Sequence, residues 1–206
     1  MKGLLSSPLA RAIVAALALT AALGWIVAGR MHILATGREI VLKTEPVDPR
    51  DLFRGHYARL TYEISRLPVE KVNGLKALKT RCRSGVNPGL KGRFVFVALT
   101  PGTDGYWHFA AAALDKPPPA PKGAVIIRGR LRRSWCGASN VWIAYGIERY
   151  YAPKEKALEL ERRTPRRGER TERQPLGVIL RVTSSGQAAI AGLMIDGQKV
   201  YEEPLW

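Results

Sequence analysis

The chain reads as a mainly β protein: an N-terminal transmembrane helix followed by a β-sandwich or open-barrel domain with one short helix. Three features predict this. Ala12 to Gly29 is an uncharged, alanine-rich run of 18 residues, flanked by Lys2 and Arg11 before and Arg30 after. Downstream, apolar and aromatic residues come in strand-length runs, several of them alternating with period 2. Between the runs stand Pro-Gly, Asp-Gly and Ser-Gly pairs that end a strand and start a turn. The 206 residues therefore divide into an anchor, 1–30, and one domain, 31–206.

At about 1.5 Å rise per residue, the uncharged run spans roughly 27 Å, close to the hydrocarbon thickness of a bilayer. Two readings fit it: an uncleaved signal anchor, which suits the length, and a signal peptide cleaved at Val27-Ala28-Gly29. The basic residues do not orient it, because Lys2, Arg11 and the amino terminus balance Arg30, Arg38 and Lys43. A short tail before a large domain usually stays in the cytoplasm, which places the domain outside.

Glu39 to Lys43 is a short strand, ended by Pro46. The lead-in that follows carries Asp48, Arg50, Asp51 and Arg54, a set able to cap the turn and pair locally or to bind a partner. Gly55-His56-Tyr57-Ala58-Arg59-Leu60-Thr61-Tyr62 then opens a strand running from Tyr57 to Ile64, with Pro68 preventing its continuation. Tyr57 differs in parity from Leu60 and Tyr62. Either both faces of this strand are covered, making it central, or a bulge near Arg59 re-aims its second half. In both cases the motif reads as a folding element more than an active site.

Residues 69–92 hold glycine turns, Asn-Pro-Gly and many lysines, and read as a loop with a helical turn at Gly74 to Lys79. Arg93 to Leu99 is β-rich, and Pro101-Gly102 with Asp104-Gly105 predicts a hairpin into Tyr106 to Ala110. Pro117-Pro118-Pro119 is a polyproline linker, and Ala124 to Leu131 alternates as a strand. Trp135 to Tyr151 is aromatic and β-like, while Lys154 to Arg163, following Pro153, is the best helix. Arg162 to Arg173 reads as a solvated loop. Gly177 to Val182 and Ala188 to Met194 form a hairpin around Ser184-Ser185-Gly186, and Asp196-Gly197 turns into Lys199-Val200-Tyr201. About eight short strands are expected.

The octapeptide with its Val-Asp-Pro-Arg-Asp lead-in, the block Tyr145 to Pro153 with Leu158-Glu159-Leu160-Glu161, and the tail from Leu176 to Tyr201 come in an order that resembles the GDYXXLXY family of bacterial membrane-anchored proteins. His56 departs from the motif, which has Asp there. That family has no established biochemical activity. The resemblance implies an uncleaved anchor in the bacterial inner membrane, a periplasmic domain, and a polytopic membrane protein as partner. It implies no reaction.

Thirty of the 33 Lys and Arg lie beyond residue 30, against all 17 acids, so residues 31–206 carry +13. Lys76, Lys79, Arg81, Arg83, Lys91 and Arg93 follow one another without an intervening acid, as do Arg128, Arg130, Arg132 and Arg133. Such charge usually marks nucleic acid, but a tethered external domain rarely meets it, so no nucleic-acid partner is expected. An anionic lipid surface or an envelope polysaccharide is the nearer ligand, and solvated basic faces are the plain alternative.

Catalytic sets are not found in the sequence. The histidines are His32, His56 and His108, without paired metal-ligand spacing, and there is no nucleophile elbow or phosphate loop. No cofactor is expected. A signal-peptidase-like β enzyme would need a serine just past the anchor, and Met31 to Phe53 contains none. Cys82 and Cys136 could form one disulfide, which closes a loop of 55 residues and stabilises by about 4 kcal/mol, or could stay as thiols. The sequence thus points to an accessory or scaffold partner of a membrane protein, with a basic binding module as the alternative.

Overall fold

The computed structural model describes residues 7–44, 58–75, 90–132, 138–150, 176–195 and 197–202. Helix α1 (Pro8–Thr36) starts where the Ser7 side chain accepts the Ala10 amide at 3.1 Å and Pro8 supplies a preset φ. It extends beyond the uncharged run at both ends, to a length of about 43 Å. It is a helix long and apolar enough to cross a membrane. Leu17, Leu19, Leu23, Trp25 and Ile26 on it are all exposed.

The helix passes into strand β1 (Arg38–Lys43) through the single residue Gly37, whose amide bonds back to the Ile33 carbonyl at 2.9 Å. β1 pairs antiparallel with β10 (Gly177–Val182), and β10 with β11 (Ala188–Ile195), which in turn pairs with β12 (Gln198–Glu202). These make a four-stranded sheet ordered β1-β10-β11-β12.

The second sheet has six strands, ordered β3-β8-β7-β5-β6-β4. Its centre is β5 (Phe94–Pro101), hairpinned to β6 (Trp107–Leu114) and flanked by β7 (Val125–Leu131). β8 (Asn140–Ala144) and β3 (Arg66–Pro68) complete one side, and β4 (Val72–Asn73) adds to β6 in parallel. The two sheets face each other over one apolar core, with Ile40, Leu42, Val178 and Leu180 on one side and Val97, Leu99, Ile127 and Ile143 on the other. A β sandwich behind an apolar helix is the result.

The sheets are stitched where β8 leaves β7. There the Arg128 amide donates to the Gly186 carbonyl at 2.8 Å, so the β10–β11 turn fills the gap. Gly186 has φ +82, and a Cβ on it would lie 3.0 Å from the Arg128 backbone nitrogen. Only glycine suits both the conformation and the approach.

The hairpins at Arg93 to Ala110 and at Gly177 to Met194, the strand at Ala124 to Leu131 and the proline linker all form as expected. The helix expected at Lys154 to Arg163 lies outside the described residues. The long motif strand does not form. Among the described residues a two-residue strand β2 (Ala58–Arg59) pairs only with β9 (Arg149–Tyr150), and Glu63–Ser65 is a 3-10 turn. Ser65 is the cause. Its amide bonds the Tyr62 carbonyl at 2.8 Å and its hydroxyl accepts the Tyr62 amide at 3.2 Å, a local closure that competes with a ladder. Strand β3 does end at Pro68, and a second 3-10 turn, Val69–Lys71, follows. Pro68 sits in an edge strand, where a missing N–H is tolerated, and Val69 donates to the Ser139 carbonyl at 2.9 Å. Residues 69–75, expected as loop, include the strand β4.

Candidate functional site

The motif and the aromatic block meet in space. β2 and β9 pair Ala58 with Tyr150 and Arg59 with Arg149. The Leu60 amide then donates to the Glu148 carbonyl at 2.9 Å. Two residues on, Tyr62 forms a bridge with Thr44, and Thr44 donates both its amide (3.0 Å) and its hydroxyl (2.9 Å) to the Leu176 carbonyl. The motif is therefore held between the aromatic block on one side and the four-stranded sheet on the other.

Two tyrosines lock this arrangement. The Tyr62 hydroxyl donates to the Ile147 carbonyl at 2.7 Å, and the Tyr145 hydroxyl donates to the Ile64 carbonyl at 2.8 Å. The turn between Tyr145 and Glu148 is closed by the Glu148 carboxylate, which accepts the amides of Tyr145 and Gly146. Gly146 has φ +83. Beyond it, the Tyr150 ring meets Tyr201 of β12 edge-on, with centroids 5.9 Å apart.

Burial sets the chemistry of the pair. Desolvation, with the Glu148 charge adding to it, pushes the phenols of Tyr62 and Tyr145 well above the ordinary tyrosine range. Both hydroxyls are committed as donors to carbonyls inside the core. They hold the fold and do not offer a nucleophile or an acid to solvent. The adjoining open cleft, lined by Leu42, Lys43, Tyr62, Glu63, Ile64, Trp107 and Phe109, measures about 50 Å³. That is room for water, well short of the roughly 300–1,000 Å³ of a small-molecule site.

Of the motif residues, Leu60 and Tyr62 are buried at 2% and 0% exposure. Asp48, Arg50, Asp51, Arg54, Gly55, His56 and Tyr57 lie outside the described residues, and so do Cys82 and Cys136 with their expected bridge. His108 is turned to Asp104, with Nε2 and Oδ1 2.9 Å apart, and that hydrogen bond first of all lowers the Asp104 carboxyl below its ordinary range. His32 bonds along its own helix to Thr36. Among the described residues no group of three His, Cys, Asp or Glu could hold a metal ion. What the sequence reading missed was the pairing of Tyr145 with Tyr62. A signal existed in the matched triplets Tyr62-Glu63-Ile64 and Tyr145-Gly146-Ile147.

These features define a class: a β-sandwich domain continuous with an apolar N-terminal helix, in which one sequence motif is clasped to a second aromatic block. The family described as GDYXXLXY protein matches residues 19–193, and the chain belongs to that family. No match is found among curated proteins or solved structures. In the family motif, Leu60 and Tyr62 stand at the L-x-Y positions.

Proposed function

We propose that this is a single-pass protein of the bacterial inner membrane whose periplasmic β domain acts as an accessory or scaffold partner of a polytopic membrane protein, and not as an enzyme. The observation that carries this reading is the junction between helix and domain. α1 enters β1 through Gly37 alone, and a Cβ at Gly37 would lie 2.6 Å from the Ile33 carbonyl and 2.8 Å from the Val182 amide. Arg181 donates to the Gly37 carbonyl at 3.3 Å, and Arg38 donates to the Gly123 carbonyl at 2.9 Å while its guanidinium lies 5.1 Å from the Trp107 ring.

A domain tethered for reach would have a flexible linker. Here the helix and the sheet are coupled, which suits a partner held in the same membrane at a set attitude. The exposed apolar side chains of α1 supply the surface for lipid or for partner helices.

Two experiments test the reading. Alkaline phosphatase fused after Trp206 is active in intact cells if the domain is external; an inactive fusion with an active cytoplasmic reporter at the same point overturns the topology. Co-purification of the intact protein at high salt yields one membrane partner, and ten Gly-Ser residues inserted after Gly37 abolish it. Recovery of no membrane protein, or recovery indifferent to the insertion, overturns the accessory role.

A further inference from the structure

The outward face of the six-stranded sheet carries a ladder of arginines and aromatic rings. Cross-strand register puts Arg66 beside Trp142, and the Arg132 amide donates to the Trp142 carbonyl at 2.9 Å. The next row is Ala144, Arg130 and Phe94, and the one after it Arg128, Phe96 and Ala113. The positions between these rows, such as Leu67, Val141, Ile143, Val95 and Ile127, point into the core. No Asp or Glu stands in the three rows. Asp115, at the end of the sheet, is paired to Arg93.

The arginines are pre-organised. The guanidinium carbons of Arg130 and Arg128 lie 4.3 and 4.7 Å from the Phe94 ring centroid, and that of Arg66 lies 5.7 Å from the Trp142 centroid. Stacked in this way, each guanidinium keeps N–H edges for a planar anion, although Arg130 also donates from Nη1 to the Gly92 carbonyl at 3.4 Å. None of Arg66, Arg128, Arg130 or Arg132 has an ion-pair partner among the described residues. Arg128 to Arg132 covers about 13 Å along the strand, with side chains of one face roughly 6.6 Å apart.

We propose that this face binds an acidic polysaccharide lying along the strands, its carboxylates taken by the arginine forks and its sugar C–H surfaces resting on Phe96 between them. This goes beyond the accessory role and does not depend on it. The occupant follows from the geometry. A lipid surface offers anionic groups in no fixed row, whereas this ladder holds its guanidinium groups in a row along β7 that a linear polyanion can follow. A single nucleic-acid strand needs open rings for its bases to stack on, and here guanidinium groups lie against Phe94 and Trp142. An acidic peptide, which arginine clusters also recognise, is the competing occupant, and polyglutamate is its arm of the test.

The test uses the full chain in uncharged detergent micelles, titrated with polygalacturonate at low salt and again at raised salt. The triple variant Arg66→Gln, Arg130→Gln, Arg132→Gln binds roughly tenfold or more weakly and stays folded, with a melting temperature lowered only slightly by the loss of two cation–π contacts. The single variant Arg132→Gln shows a smaller loss in the same direction. For a charge-matched comparison, the double variant Arg130→Gln, Arg132→Gln binds more weakly, whereas the control Lys116→Gln, Lys122→Gln on the exposed linker binds as the parent does. The proposal is overturned by absence of saturable binding at low salt, by equal loss in the lysine control, or by tighter binding of phosphatidylglycerol vesicles, single-stranded DNA or polyglutamate. Capture of a membrane partner at high salt is unaffected by the triple variant, so the two readings fail separately.

Discussion

Tyr62 and Tyr145 clasp each other's segments: each donates its hydroxyl to the carbonyl two residues beyond the other, at 2.7 and 2.8 Å. The arrangement is reciprocal and buried, and the sequence separation across each bond is 85 and 81 residues. It fastens the motif to the block that contributes β9.

Removing one hydroxyl leaves one core carbonyl without its donor. Tyr62→Phe and Tyr145→Phe are each expected to cost about 1–3 kcal/mol. Because each bond positions the segment that makes the other, the double variant costs less than the two single losses together, by a coupling energy of about 0.5–3 kcal/mol. Denaturant melts of the four proteins complete the cycle. Additive losses would show that the bonds act independently.

The raised phenols make stability sensitive to alkali. Below about pH 10 the hydroxyls are protonated in both the folded and unfolded states, and their contribution is fully present. Above it the unfolded chain releases those protons while the folded chain keeps them, so stability falls as pH rises, by up to about 1.4 kcal/mol per unit for each tyrosine. Melts from pH 8 to 11 show the decline, and Tyr62→Phe with Tyr145→Phe flattens it.

Leu60 is buried beside the clasp although it belongs to no strand. Leu60→Ala is expected to cost about 2–5 kcal/mol through lost transfer energy and the cavity it leaves. A thermal melt checks this. Unchanged melting together with loss of the proposed membrane partner would make the motif an interaction surface.

Gly186→Ala is expected to be more damaging than Gly105→Ala, although both glycines have positive φ, +82 and +81. Each substitution carries the left-handed strain of about 1–2 kcal/mol. At Gly105 an added Cβ meets nothing within 4 Å, whereas at Gly186 it presses on Arg128 at 3.0 Å and loosens the stitch between sheets. Melting temperatures of the two variants measure the difference; equal shifts would refute the close-approach argument.

Local signals carried the reading where structure is local. The apolar run Ala12 to Gly29 lies within α1, and Pro101-Gly102 with Asp104-Gly105 turns β5 into β6, because an unbroken apolar run and turn chemistry are properties of neighbouring residues. The motif was less legible. Its alternation suggested a strand to Ile64, yet the Ser65 hydroxyl and amide close a turn on Tyr62, and a three-residue competition of that kind is decided by what covers the segment.

By itself, then, the sequence determined an apolar helix, a β-rich domain, its hairpins and its excess of basic charge, all properties of neighbouring residues. Tertiary structure alone decided that Tyr62 answers Tyr145, that Gly186 docks on Arg128, and that Arg66, Arg130 and Arg132, scattered along the chain, share one outward face. Those are contacts across dozens of residues. They depend on which strands pair and in which register, and register is set by burial of one sheet against the other, not by any short stretch of sequence.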